Sequence, residues 1–283
     1  MGLKLSGPDY QNRDPVKALK DFKSRIEMYE KRYEPLGDIE EAKGYSFCQM
    51  IDVGRKFILH NINGYLAHQA VQYLQHFHLK PRQIWLTRHG QSYDDLVGRL
   101  GGNAHLTMRG ERYAEALTKL MDKQRSRFAA EQSTQMDALG PKTFQVWTSN
   151  TLRSIQTAQY FDRSTYVIKH LKMLDELNAG LLDGLTREEI REFHSDWLEG
   201  RQQDKFRHRY PGLIGEGYHD VTARLKSVIL EIETVTDHIL LISGLAVTRI
   251  LLAYFRGLKR DETVNLSIPT GTLYMLEPVC ACS

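Results

Sequence analysis

The stretch LTRHGQS, residues 86–92, sets a histidine between an arginine and a glycine at the end of a short apolar run. An imidazole in that setting can attack phosphorus. Gly90 lets the backbone turn sharply, and Arg88 puts a cation and open amides beside His89. The attack needs a neutral ring, and a nearby guanidinium disfavours the imidazolium, so Arg88 is expected to lower the His89 pKa while also binding the phosphate. A second arginine, Arg153, lies in SNTLRSIQTA (149–158) near the start of a helix, and a guanidinium offers paired donors to phosphate oxygens. Glu176, in LDELNAGLLDG (174–184), ends another apolar run; facing His89, it could protonate a leaving alkoxide and later take a proton from water. Taken singly, each residue has a bland reading: a structural histidine, a solvated salt bridge, an isolated carboxylate. Their combination at several strand ends is what points to phosphoryl chemistry.

Those ends need elements to hold them. From Pro15 to Tyr33 apolar residues recur at three- and four-residue steps, which predicts an amphipathic helix begun by Asp14-Pro15 and stopped at Pro35 and Gly37. YSFCQMIDVG (45–54) reads as a strand, and Leu66, Ala70, Val71, Leu74 and Phe77 mark a second helix, with Pro81 closing this unit. Strands and helices then alternate: strands at 84–87, 144–149, 165–171, 238–243 and 272–276, and helices from about Met108, from about Leu152, near 187–194, over about 217–233 and from about Ala246 to Tyr254. That alternation predicts a mainly parallel sheet covered on both faces, with ligands at the carboxyl ends of the strands. RHG, WTSNTLR and ISG all fall there.

Composition excludes more than it assigns. The 283 residues, 41% hydrophobic, supply an ordinary core; 38 Lys and Arg against 35 Asp and Glu, a net +3, give no general case for nucleic acid or a membrane surface. Three cysteines (48, 280, 282) lack metal-ligand spacing, which fits a reducing, cytosolic setting. No run approaches the roughly 20 apolar residues a bilayer requires.

LTRHGQS, LTMRG and LRSIQTA together resemble the histidine phosphatase superfamily, with its phosphoglycerate mutase-like fold. IDVGRKF, GRLGGNAHLT, VWTSNTLRSIQTA, LDELNAG, RQQDKFRHRYP and LLAYF resemble one branch closely, the bifunctional 6-phosphofructo-2-kinase/fructose-2,6-bisphosphatases. The resemblance implies an α/β protein: a three-layer α/β/α sandwich over residues 81–283, preceded over 1–80 by an α/β remnant, the C-terminal part of a P-loop kinase domain. It implies that His89 takes the 2-phosphoryl group of fructose 2,6-bisphosphate, that Arg88 and Arg153 surround it, and that Glu176 is the acid/base. Arg201, Lys205, Tyr218 and Arg249 fall where the family binds the 6-phosphate and the sugar ring; without the resemblance, RQQDKFRHR (201–209) reads as a solvated charged segment. No metal or organic cofactor is implied, and the partner is fructose 2,6-bisphosphate or a related sugar phosphate. No G-x-x-x-x-G-K-[S/T] loop occurs, so no kinase activity is expected of the chain alone. Apolar faces in the first 80 residues should be left partly exposed, inviting protease or self-association as a homodimer.

The departures from the family pattern are as informative. Where the family carries a second histidine followed by glutamine, this chain has Gly244 and Leu245, and both lost groups are expected to face the phosphoryl site. A preorganised donor of that kind is worth about 10²–10³ in rate, or about 3–4 kcal/mol. Asp95 replaces an asparagine and is expected to repel the phosphate; Arg187 replaces a substrate-binding tyrosine. A histidine restored at 244, at the C-terminal end of the strand 238–243, is expected to project towards the phosphoryl site without disturbing the helix from Ala246. The competing expectation is a pseudoenzyme that binds a sugar phosphate, or nothing, and acts as a regulatory or dimerising segment of a kinase-dominant product.

Overall fold

HILLIS has no interior polar residue, and a strand apolar at every position must be covered on both faces. In the computed structural model, which describes residues 14–52, 56–76, 82–133 and 143–277, this segment is β6 (His238–Ser243), buried at all six positions. It occupies the middle of a five-stranded sheet ordered β5-β4-β6-β3-β7, with β3 (Ile84–Arg88), β4 (Phe144–Thr148), β5 (Tyr166–His170) and β7 (Leu273–Leu276). The pairs β3–β6, β4–β6 and β4–β5 are parallel, and β7 closes the edge antiparallel to β3. Arg88 stands opposite Ser243, and Thr148 opposite Ile242, so the carboxyl ends of β3, β4 and β6 meet at one rim.

Strand alternation sorts the core into two layers. Ile84, Leu86, Trp147, Ile239 and Leu241 point to one face, packing with Val221, Leu225 and Ile232 of α9 (Tyr218–Thr234) and Val247 and Leu251 of α10 (Leu245–Arg256). Trp85, Phe144, Val146, Leu240 and Ile242 point to the other, meeting Leu117 and Met121 of α5 (Met108–Ser133) and the residues after α6 (Leu152–Thr157). The result is the expected α/β/α arrangement. The helix expected near 187–194 is two, α7 (Arg187–Phe193) and α8 (Ser195–Gln203): Thr186 caps the first through a box with Glu189, and a bend at His194 separates them. RQQ (201–203), read as the start of a solvated segment, is the last turn of α8.

The chain divides into two compact units, and the described part of the first is 14–76. Here α1 (Pro15–Glu30) starts as expected: Asp14 Oδ1 accepts from the N–H groups of Val16 at 2.9 Å and Lys17 at 3.1 Å, and Pro15 takes the first helical position. It ends earlier than the periodicity suggests, with Lys31 as its C-cap. A short α2 (Asp38–Ala42) follows. The expected strand at 45–54 is shorter, β1 (Phe47–Ile51). It forms an antiparallel hairpin with β2 (Lys56–His60), a strand the sequence reading did not anticipate. Asp52, at φ 50°, takes the chain out of β1. The second helix is α3 (Tyr65–His76); Phe77 and Pro81 lie outside the described residues. Ala18, Phe47 and Val71 are buried, whereas Val16, Tyr29, Leu66 and Tyr73 are exposed.

Candidate active site

His89 follows β3 directly and is held from three sides. Its N–H donates to the Ser243 carbonyl at the end of β6, at 3.1 Å, and the Gly90 N–H donates to Thr157 Oγ1 in α6, at 2.9 Å. Gly90 also lies against Gly110: a Cβ at position 90 would stand 2.7 Å from the Gly110 carbonyl oxygen, which is why both RHG and MRG end in glycine. The His89 side chain is buried, with Nδ1 2.8 Å from the Gly90 carbonyl. A carbonyl only accepts, so in the neutral ring Nδ1 carries the proton and Nε2 keeps its lone pair. Burial pushes the imidazole pKa down to about 4, helped by Arg153 and opposed by Asp95 and the Gly90 carbonyl. Arg88, expected to be the cause, is the smallest of these influences, because the absence of water around the ring outweighs any single charge.

The arginines converge from separate elements on a cavity of about 480 Å³. Arg88 donates through Nη1 to the Ile268 carbonyl at 3.1 Å, and Arg153, in α6, donates through Nη1 to the carbonyls of Gly101 at 3.2 Å and Gly102 at 2.9 Å. These bonds fix the two forks but leave Arg88 Nε and Arg153 Nε buried without a partner, and Arg201 Nη1 is in the same state. Buried donors of a cation are costly unless paired. What marks the cavity as an anion site is that Arg88, Arg153 and Arg201 all line it.

The cavity is also lined by Arg201, Lys205, Tyr218 and Arg249, the residues the family resemblance pointed to. Arg249 donates to Tyr218 Oη at 2.8 Å and to the Leu266 carbonyl at 2.7 Å. Lys205 Nζ donates to the Val264 carbonyl at 2.8 Å, and burial, then Arg249 and Arg201, push its pKa down. The Arg201 guanidinium carbon lies 4.7 Å from the ring centre of Tyr210 and 5.3 Å from that of Trp197, so two aromatic faces hold it. Sequence reasoning missed both aromatics. Trp197 was legible, standing one helical turn before Arg201 in α8; Tyr210 comes from the following loop and carried no such signal. Arg187 also lines the cavity but is exposed.

Glu176 does not point freely into the cavity. Its carboxylate sits on the first turn of α10: Oε1 and Oε2 lie 3.1 and 3.2 Å from the Ala246 nitrogen, and Oε1 also accepts from the Leu177 N–H at 2.8 Å. Gly244 is the N-cap of that helix, and a Cβ there would stand 2.1 Å from Glu176 Oε2, 2.6 Å from its Cδ and 2.9 Å from its Cβ. A side chain at 244 would therefore meet Glu176 on its way to the phosphoryl site, a neighbour the sequence did not point to. Leu245, the neighbouring departure, does line the cavity.

Residues 84–279 match the histidine phosphatase superfamily (branch 1). The chain belongs to that family. Residues 1–81 match 6-phosphofructo-2-kinase. The chain is 48% identical to 6-phosphofructo-2-kinase 1 of Saccharomyces cerevisiae, over 98% of this chain and 34% of that protein. It is 37% identical to the human 6-phosphofructo-2-kinase/fructose-2,6-bisphosphatase 3, over 99% of this chain and 50% of that one. It thus spans about a third to a half of the length of these relatives. Among solved structures, a mycobacterial glucosyl-3-phosphoglycerate phosphatase superposes at a TM-score of 0.53 with 20% identity, covering 69% of this chain and 92% of that one. The alpha-ribazole phosphatase of Shigella flexneri does so at 0.53 with 19% identity, over 68% and 89%. Both likenesses speak to the fold.

Within this histidine phosphatase domain, eleven of the twelve residues singled out from the sequence line one cavity, Gly244 being the exception. Asp95 lines the cavity beside His89 and Arg88. Its Oδ2 accepts from Ser92 N–H at 2.9 Å and Ser92 Oγ–H at 2.8 Å in the capping box of α4 (Tyr93–Leu96), and lies 3.8 Å from Nδ1 of His89. Its Oδ1 lies 3.7 Å from Arg88 Nη2. Burial raises the Asp95 pKa, but His89, Ser92 and Arg88 outweigh it and hold the carboxyl below its ordinary value. The carboxylate faces the non-attacking side of the imidazole and offsets the charge of Arg88. Among the described residues, no cluster of His, Cys, Asp and Glu could hold a metal ion, and no helix is long and apolar enough to cross a membrane.

Proposed function

We propose that this domain hydrolyses the 2-phosphate of fructose 2,6-bisphosphate through a phosphohistidine on His89. The observation that carries the reading is the cavity itself: a neutral imidazole with Nε2 available shares it with the guanidinium groups of Arg88, Arg153 and Arg201. In the scheme, Nε2 attacks phosphorus, the bond from phosphorus to the sugar oxygen breaks, and Glu176, entering this step as the carboxylic acid, gives that oxygen its proton. Water then gives a proton to Glu176 and attacks the phosphohistidine, releasing phosphate and restoring neutral His89. Arg88 and Arg153 meet the charge on the phosphoryl oxygens. Lys205, Arg249 and the aromatic-clamped Arg201 suit the second phosphate, and Tyr218 the sugar. The substrate is supported by the human relative, named for this bisphosphatase. With glycine in place of the second histidine, turnover should be slowed by about 10²–10³.

A second reading, binding without turnover, is favoured by Gly244 and Leu245 and by the Saccharomyces relative, which is named for the kinase alone. Following free phosphate and protein-bound phosphate together, from fructose 2,6-bisphosphate labelled at the 2-position, tests both. Slow release above the buffer rate supports hydrolysis; saturable binding with neither product supports the second reading.

A further inference from the structure

We propose that Gly244 is a positioning residue for Glu176: having no side chain, it opens the first turn of α10 to the Glu176 carboxylate and so fixes where the proposed acid/base sits. The argument is steric. Any β-carbon at 244 would stand within 2.9 Å of three Glu176 atoms, including that residue's own Cβ, so a small rotation at the end of the side chain cannot relieve the collision. Gly244 itself has φ −83° and ψ −179°, a backbone region open to every residue, so nothing about its own conformation calls for glycine. What calls for it is Glu176. Once admitted, the carboxylate accepts from Ala246, one of the helix N–H groups that no residue within the helix can satisfy, and from Leu177.

It follows that a histidine at 244 and Glu176 in this placement exclude one another. The glycine is more than a missing donor, because it sets the position of another group in the site, and restoring the histidine alone would evict the carboxylate from the helix. The consequence for turnover rests on the proposed role of Glu176; the steric relationship does not.

A double-mutant cycle separates the two. Gly244→Ala should lower the thermal midpoint by about 2–4 °C in the parent, the shift expected for losing one helix-start hydrogen bond in a chain of this size, and by clearly less in a Glu176→Gly background, which removes the colliding Cβ together with the carboxylate. Hydrogen exchange at the Ala246 amide should quicken in Gly244→Ala and Glu176→Ala alike, a readout that survives even if a variant is only marginally folded. In the parent, Gly244→Ala should also cut phosphate release from fructose 2,6-bisphosphate by about 10-fold, and have no effect once Glu176 is glycine. Equal cost in both backgrounds, or an Ala246 amide indifferent to Gly244→Ala, overturns the proposal. A parent without phosphate release overturns the proposed function and leaves the stability and exchange cycle to decide this one.

Discussion

The Asp95 carboxylate stands on the Nδ1 side of the His89 imidazole, with Oδ2 3.8 Å from Nδ1 and tied down by Ser92. The carboxylate favours a proton on the ring, while burial, Arg153 and Arg88 oppose one. The opposition wins, and the ring stays neutral down to about pH 4.

The acid limb of phosphoenzyme formation should therefore lie near pH 4 instead of the ordinary histidine value of about 6.5. Asp95→Asn removes an influence that raises the pKa, so it should move the limb lower still. The same shift links to stability. Between about 6.5 and 4 the unfolded chain protonates this histidine and the folded one does not, so its contribution is complete above about 6.5 and is lost as pH falls towards 4. Thermal midpoints measured across that window should show a shallower fall in His89→Asn than in the parent.

The aromatic clamp on Arg201 makes a separate prediction. Removing one face with Trp197→Ala should cost about 1–2 kcal/mol of the cation's positioning, which corresponds to roughly 5- to 30-fold in affinity. If Arg201 holds the second phosphate, KM should rise by that factor with kcat little changed, and calorimetric binding of fructose 6-phosphate should weaken equally. A fall in kcat alone would place Arg201 at the reacting phosphoryl group.

Limited proteolysis should cut first between residues 14 and 76, where Val16, Tyr29, Leu66 and Tyr73 are exposed and the one described sheet is a two-stranded hairpin. Mass analysis of the earliest fragments checks this; first cuts within 82–277 would contradict it.

The centre of the sheet was legible because β6 and β3 are nearly uninterrupted apolar runs, each ending in a chemistry-bearing turn, as HILLI-SG and IWLT-RHG show. β2 was not, because KFILH follows β1 so closely that one strand and a turn describe the sequence as well as a hairpin does. At the site, residue types and strand ends foretold that His89, Arg88, Arg153 and Glu176 would gather. They did not foretell the relationships across elements. The Glu176 carboxylate on α10, the Asp95 oxygen beside Nδ1 and the Tyr210 ring against Arg201 each join residues distant in sequence or separated by a turn, where no periodicity applies. Gly244 was the hardest to read, since its meaning lies in the space that another residue takes.

The central claim is that His89 accepts the phosphoryl group, and protein-bound label tests it most directly. Incubated with fructose 2,6-bisphosphate carrying radioactive phosphorus at the 2-position, the parent chain should acquire acid-labile, base-stable label that His89→Ala lacks, and should lose it slowly as free phosphate. A His89→Ala chain that labels as well as the parent, or a parent that binds the sugar bisphosphate and never labels, would contradict the account.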